Sequence, residues 1–392
     1  MNFLESVTVL MTVPIVAVVV GILLVFVVLR DAFETIILPR RVSGRIRLTK
    51  LFYRFTWGPW RATARLLSGR RREAFLSFYG PLSLLLLLAL WAAGIVLAFG
   101  LLQWATGSAL TLVGGEPGLA SDIYMSGTTF FTLGLGDVVP RTPIAKTLTV
   151  IEAGTGFAFL AVVIGYFPVI YQAFSRREVA ISLLDARAGS PPTASELLWR
   201  HRGDAGGEAL AELLREWEHW AADVLESHLS YPPLAYFRSQ HYNESWVGAL
   251  TTILDTSAVV IVGLEGWCKH QAELTFAMAR HAVVDLAQVF SVRRPERAQD
   301  RLPPEKLARL RERLASGGMQ LLARPDLEDR LTELRRMYEP YVEALGRYLA
   351  LSLPPWVREV ERPDNWQTSA WDKVVRLPAA EPRRREEDPP HF

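Results

Sequence analysis

Three stretches of this 392-residue chain are long, apolar and almost free of charge. Val7 to Leu29 and Pro81 to Trp104 carry no charged residue, and Thr147 to Phe174 carries only Glu152. At 1.5 Å per residue the first covers about 35 Å, enough for a hydrocarbon core of about 30 Å. Lipid offers the backbone no hydrogen-bond partner, so such a segment satisfies its own N–H and C=O groups as a helix. A cleaved signal peptide would also be apolar. The first run is too long for one, and it has Glu5 where a basic n-region belongs. The expectation is three membrane-spanning helices.

Charge gives these helices a direction. Residues 30 to 72 hold Arg30, Arg40, Arg41, Arg45, Arg47, Lys50, Arg54, Arg61, Arg65, Arg70, Arg71 and Arg72 against only Asp31 and Glu34. The positive-inside rule puts this segment in the cytoplasm, so the N-terminus lies outside, the 105–146 region outside and everything after Phe174 inside. The sole cysteine, Cys268, excludes an intrachain disulfide framework and suits a reducing compartment. Basic residues are nearly all arginine, a usage that fits a GC-rich bacterial genome and hence a bacterial inner membrane.

Between the second and third spans lies Thr132-Leu133-Gly134-Leu135-Gly136-Asp137. Alternating glycines allow left-handed dihedrals at every second residue, where a Cβ would cost about 1–2 kcal/mol. Successive carbonyls can then aim at one axis and replace the hydration shell of a cation, with the Thr132 hydroxyl at the inner end. A glycine-rich turn outside the membrane could carry the same letters, and the flanking spans argue against it. Ser121 and Asp122 can start a short helix over Ile123 to Phe131, whose negative C-terminal end favours a cation. Asp137 is read as a turn cap, as part of a negative ring at a pore mouth, or as both.

Thr128, Thr129, Thr132, Gly134, Leu135, Gly136, Asp137 and Pro140 together resemble the pore loop and filter of the tetrameric potassium-channel superfamily, over about residues 80 to 175. The resemblance implies that the carbonyls of Thr132, Leu133, Gly134 and Leu135, with the Thr132 hydroxyl, bind K⁺ in a filter closed by Gly136. It also implies that four copies of the chain surround one ion, since only one such loop is present. The family usually has Tyr or Phe where this chain has Leu135. An aromatic there braces the filter, so its absence points to softer selectivity. The implied function is passive K⁺ conduction, with no organic cofactor and no enzymatic activity. A weakly selective cation channel and a non-conducting membrane anchor for a cytoplasmic sensor are the alternatives.

The third span would line the pore. Gly156 matches the family's hinge glycine by its distance from the filter, and Gly154 and Pro168 are further places to bend. Close helix packing explains such glycines equally well. Glu152, an acid within a span, is expected to pair with a polar group behind the filter, to face the cavity, or to lie at the membrane edge. Residues 40–72 interleave arginines with Phe52, Tyr53, Phe55, Trp57 and Trp60, which suits an interfacial helix on anionic lipid rather than nucleic acid.

From Arg176 to Leu353 the pattern is amphipathic and helical, over Glu208 to Leu229, Glu305 to Ala315, and Leu327 to Leu353 with a break at Pro340. Val247 to Leu264 is interrupted only by Asp255 and reads as a buried core helix rather than a fourth span. No glycine fingerprint follows a strand, so a nucleotide-binding regulatory domain is not expected. Gly203 to Gly207 reads as a loop before a helix. All seven histidines follow residue 200 and are expected at the surface or as caps, since neither Glu216 with His219 nor Cys268 with His270 makes a metal site by spacing. Pro354 to Phe392, with seven prolines, reads as a largely disordered tail that Trp356, Trp366 and Trp371 can anchor in its first half.

The organisation expected is therefore an all-α membrane protein with three transmembrane helices, one re-entrant pore helix and a cytoplasmic α-helical domain. Its parts are an N-terminal helix (1–30), a basic linker (31–79), a pore domain (80–175), a helical domain (176–353) and a tail (354–392).

Overall fold

The apolar runs and the 3.6-residue patterns both become helices. A computed structural model describes residues 3–38, 47–107, 110–112, 118–203, 206–241, 243–266, 268–293, 300–359 and 364. Arg40, Arg41 and Arg45 of the linker, and Trp366, Trp371 and the charged cluster at 383–388 of the tail, lie outside the described residues. The chain divides into two compact units, residues 1–60 with 81–171 and residues 61–80 with 172–392.

The first unit holds α1 (Phe3–Ala32), a π-helical turn (Phe33–Ile37), most of α2 (Leu48–Ala64), α4 (Tyr79–Ala105), α5 (Leu119–Phe130) and the larger part of α6 (Pro143–Ala188). Two three-residue strands, β1 (Leu110–Leu112) and β2 (Val138–Pro140), pair antiparallel and bracket α5 and the loop after it. At the end of α1, the buried Asp31 accepts from the Thr49 N–H (3.0 Å), the Thr49 hydroxyl (2.6 Å) and the Trp91 indole N–H (3.0 Å). One carboxylate thus caps the first turn of α2 and ties α1, α2 and α4 together.

The second unit holds α3 (Gly69–Ser77), α7 (Ala194–Arg200), α8 (Gly206–Ser230), α9 (Trp246–Gly263), α10 (Cys268–Val289), α11 (Pro304–Ser316), α12 (Leu327–Arg336) and α13 (Glu339–Leu349), with the last turns of α6. The break between α12 and α13 falls at Met337 and Tyr338, and Pro340 sits in the first turn of α13. Among the described residues four helices are long and apolar enough to cross a membrane, and α9 is one of them. Its apolar window is 94% enclosed by the unit, against 17% for α1 and α6.

The acid inside α9 explains how so apolar a helix keeps one orientation. Asp255 is fully buried and takes two hydrogen bonds from the Arg301 guanidinium (3.0 and 2.7 Å) and one from the Tyr338 hydroxyl. Arg301 also donates to the Pro354 carbonyl (2.9 Å), and Arg335 bonds Glu339 (3.1 Å). Trp356 is fully buried with the two guanidiniums 5.8 and 5.7 Å from its ring, so the start of the tail is folded onto the helices.

One expectation about histidines is overturned. His228 is neither a surface nor a capping residue: it has no exposure, and the equally enclosed Arg177 lies 3.2 Å from its Nε2. Arg177 donates as well to the carbonyls of Leu234 (3.1 Å) and Phe237 (2.8 Å). Arginine can only donate, so His228 Nε2 accepts and its Nδ1 carries the hydrogen, 2.8 Å from the Val224 carbonyl. Burial, and after it the Arg177 charge, holds this imidazole well below the usual 6.5.

Two outcomes follow for the full-length protein in detergent. Asp255→Ala removes the carboxylate that Arg301 and Tyr338 both bond, leaving the buried guanidinium only Glu339 and the Pro354 carbonyl. It should cost up to about 3–5 kcal/mol in denaturant unfolding. Below pH 6.5, unfolded chains bind a proton that native His228 refuses, so stability should fall by about 1.4 kcal/mol per pH unit. His228→Gln, which can still accept from Arg177 and donate to Val224, should flatten that acid limb.

Candidate functional site, the re-entrant loop

α5 begins at Leu119, earlier than the sequence reading, because Ser121 turns back on Gly118: its hydroxyl accepts from the Gly118 N–H and lies 3.0 Å from the Gly118 carbonyl. The helix is wedged between its neighbours at unusually close range. A Cβ on Gly100 of α4 would meet the Ile123 backbone at 2.9 Å, and one on Gly156 of α6 would sit 2.2 Å from the Phe130 carbonyl oxygen. Gly156 is thus a residue of close packing, whatever else it does. Gly154 has nothing within 4 Å of such a Cβ in the single chain.

The segment after α5 has the dihedral alternation the glycines permit. Thr132, Gly134 and Gly136 have φ of 58°, 55° and 77°. For Thr132, a β-branched residue, this is a strained conformation costing about 1–3 kcal/mol, which persists only where its surroundings impose it. Two N–H groups, those of Leu133 (2.7 Å) and Gly134 (3.4 Å), donate to the Thr128 carbonyl and hold the loop on the end of α5. Among the described residues nothing donates to the carbonyls of Thr132, Leu133, Gly134 and Leu135. The side chains of Leu133 and Leu135 are 61% and 64% exposed within the single chain.

Beyond Gly136, Asp137 takes the Tyr124 hydroxyl of α5 on one carboxylate oxygen (2.8 Å) and its neighbour's Val138 N–H on the other (3.1 Å). The first of these bonds ties the far end of the loop back to α5. The sequence reading missed Tyr124. Its signal was a phenol one helix length before a lone acid, legible only once α5 is known to start at Leu119.

Glu152 of α6 has no exposure and meets the Ser126 hydroxyl of α5, which also lies 2.7 Å from the Val96 carbonyl of α4. The polar partner of Glu152 in the structure therefore lies on α5. Glu152 and Gly156 are one turn apart on α6, as Ser126 and Phe130 are on α5, so the two helices meet at two successive rungs. Above them, the buried Gln103 amide of α4 donates to the Ala145 carbonyl and the Thr149 hydroxyl of α6, both at 3.1 Å. Pro168 lies inside α6 and removes the donor for the Ile164 carbonyl. No group of three or more metal-ligating side chains occurs among the described residues.

Residues 84–172, from α4 to α6, match the Ion_trans_2 family model, described as an ion channel. No curated protein and no solved structure matches the chain.

The two α6 glycines should separate in experiment. Gly156→Ala drives a methyl into the Phe130 carbonyl and should lower the unfolding temperature of the detergent-solubilised protein, at a cost of about 1–3 kcal/mol or more. Gly154→Ala adds a methyl to open space and should gain up to about 1 kcal/mol of helix propensity.

Proposed function

On the premise that residues 84–172 belong to the pore-loop ion-channel superfamily, we propose that this membrane protein conducts K⁺ passively through a homotetrameric pore. The observation that carries the reading is the row of carbonyls from Thr132 to Leu135 that no group among the described residues satisfies. A buried carbonyl without a partner costs several kcal/mol at membrane depth, and a dehydrating cation supplies what is missing. Four such rows around one axis, with the Thr132 hydroxyl at the inner end, form the K⁺ sites. Asp137 stands at the mouth, and Gly154, Gly156 and Pro168 are the places where the inner helix can bend.

In this reading α1, α4 and α6 cross the membrane, with the N-terminus outside and the second unit in the cytoplasm of a bacterial cell, where it governs assembly or gating. The basic α2 region lies on anionic lipid. The enclosure of α9 supports three spans rather than four.

Leu135 supports a second reading, a weakly selective monovalent cation pore. The Tyr124 to Asp137 hydrogen bond argues for K⁺ selectivity, because it supplies from the pore helix a brace that Leu135 cannot.

Purified protein in liposomes should give K⁺ flux blocked by Ba²⁺. Gly134→Ala should abolish it, since alanine at φ 55° is strained by about 1–2 kcal/mol in every subunit. Tyr124→Phe should keep the flux and raise the Na⁺ to K⁺ ratio. Equal Na⁺ and K⁺ flux in the unaltered protein would leave the weakly selective pore standing, and intact tetramers without flux would leave a non-conducting anchor.

A further inference from the structure

The contact behind the loop has one hydrogen too few if Glu152 is ionised. Ser126 Oγ carries a single hydrogen and two lone pairs. Its oxygen lies 2.7 Å from the Val96 carbonyl, which can only accept, so the serine hydrogen goes there. The same oxygen is in hydrogen-bond contact with Glu152 Oε1. A carboxylate has no hydrogen to offer, and two acceptors form no hydrogen bond with each other. The second carboxyl oxygen, Oε2, is enclosed with no partner among the described residues. An anion there would have neither water nor a donor for half its charge.

We infer that Glu152 is a neutral carboxylic acid whose hydroxyl donates to Ser126 Oγ, so that a bound proton completes the joint holding the pore helix and the filter after it. The chain of bonds runs one way, from Glu152 on α6 to Ser126 on α5 to the Val96 carbonyl on α4. The rung beside it, Gly156 against Phe130, lies two residues before Thr132. Glu152 is a positioning residue: it touches no ion and acts through α5. Loss of its proton removes the donor and sets a charge against the Ser126 oxygen, which loosens α5 from α6.

The other titratable groups of the surrounding elements are few. Pro81 to Trp104 of α4 is uncharged, and its buried Gln103 is committed to Ala145 and Thr149. On α5, Asp122 is buried one turn before Ser126, and Tyr124 is bonded to Asp137. On α6, Lys146 lies toward the start of the helix, and α1 has no charge between Val7 and Leu29.

The inference rests on the filter reading for its consequence but not for its test. Infrared difference spectra of the full-length protein in liposomes at neutral pH should contain the C=O stretch of a protonated carboxylic acid, shifted by H/D exchange and missing in Glu152→Gln. Ser126→Ala keeps the acid and removes its acceptor, so the band should move to higher frequency. In flux assays, wild-type conduction should fall reversibly at alkaline pH. Glu152→Gln, whose amide N–H can replace the donor, should conduct at all those pH values, and Glu152→Ala should lose about tenfold of the open population, as for one buried hydrogen bond. Absence of a Glu152-dependent band, a band unmoved by Ser126→Ala, or a wild-type pH profile in Glu152→Gln would each overturn the inference. The band tests it even in a protein that conducts Na⁺ equally or not at all.

Discussion

In the proposed pore, α5 enters the membrane and ends halfway, which leaves its last carbonyls and the following loop without the hydrogen-bond partners that a spanning helix makes for itself. What keeps such an element in place is contact at backbone distance. Here Gly100 on one side and Gly156 on the other let α4 and α6 approach α5 until a methyl group on either would collide with its backbone. Ser126 closes the third contact by bridging Glu152 and the Val96 carbonyl. The strained φ at Thr132 and the position of Asp137 are sustained from this platform, through the Thr128 carbonyl at one end of the loop and Tyr124 at the other.

The second unit solves a different problem with the same economy. α9 has almost no polar side on which to orient itself, so Asp255 fixes its rotation by reaching Arg301 and Tyr338. A buried pair of this kind adds little net stability and gives one arrangement precedence over its neighbours. The pair also recruits the chain beyond α13, because Arg301 holds the Pro354 carbonyl and flanks the Trp356 ring.

Much of this was legible in the sequence, for identifiable reasons. The spans follow from uncharged length, and α8, α11, α12 and α13 follow from a polar face that repeats at helical spacing. The positive φ at Gly134 and Gly136 follows from where glycine stands, that at Thr132 does not, and the burial of Asp255 follows from its place in an otherwise apolar helix. What stayed hidden depends on pairs distant in sequence. Arg177 and His228 are 51 residues apart, and neither has a local pattern that announces the other. Tyr124 and Asp137 meet only because α5 and the loop double back. α10 was submerged in the general helical signal, since it packs with small side chains, Ala272, Ala279, Ala282 and Ala287, that give a face little contrast.

The uncovered loop has a consequence for how the protein matures. A chain newly released into the bilayer presents Phe131, Leu133 and Leu135 at 60%, 61% and 64% exposure. Lipid tails can cover those side chains but cannot bond the carbonyls between them. In the proposed homotetramer this strip is covered only when other copies of the chain arrive. Encounter frequency within the membrane then enters the folding equilibrium by mass action, so low expression would lower the yield of mature protein more than in proportion.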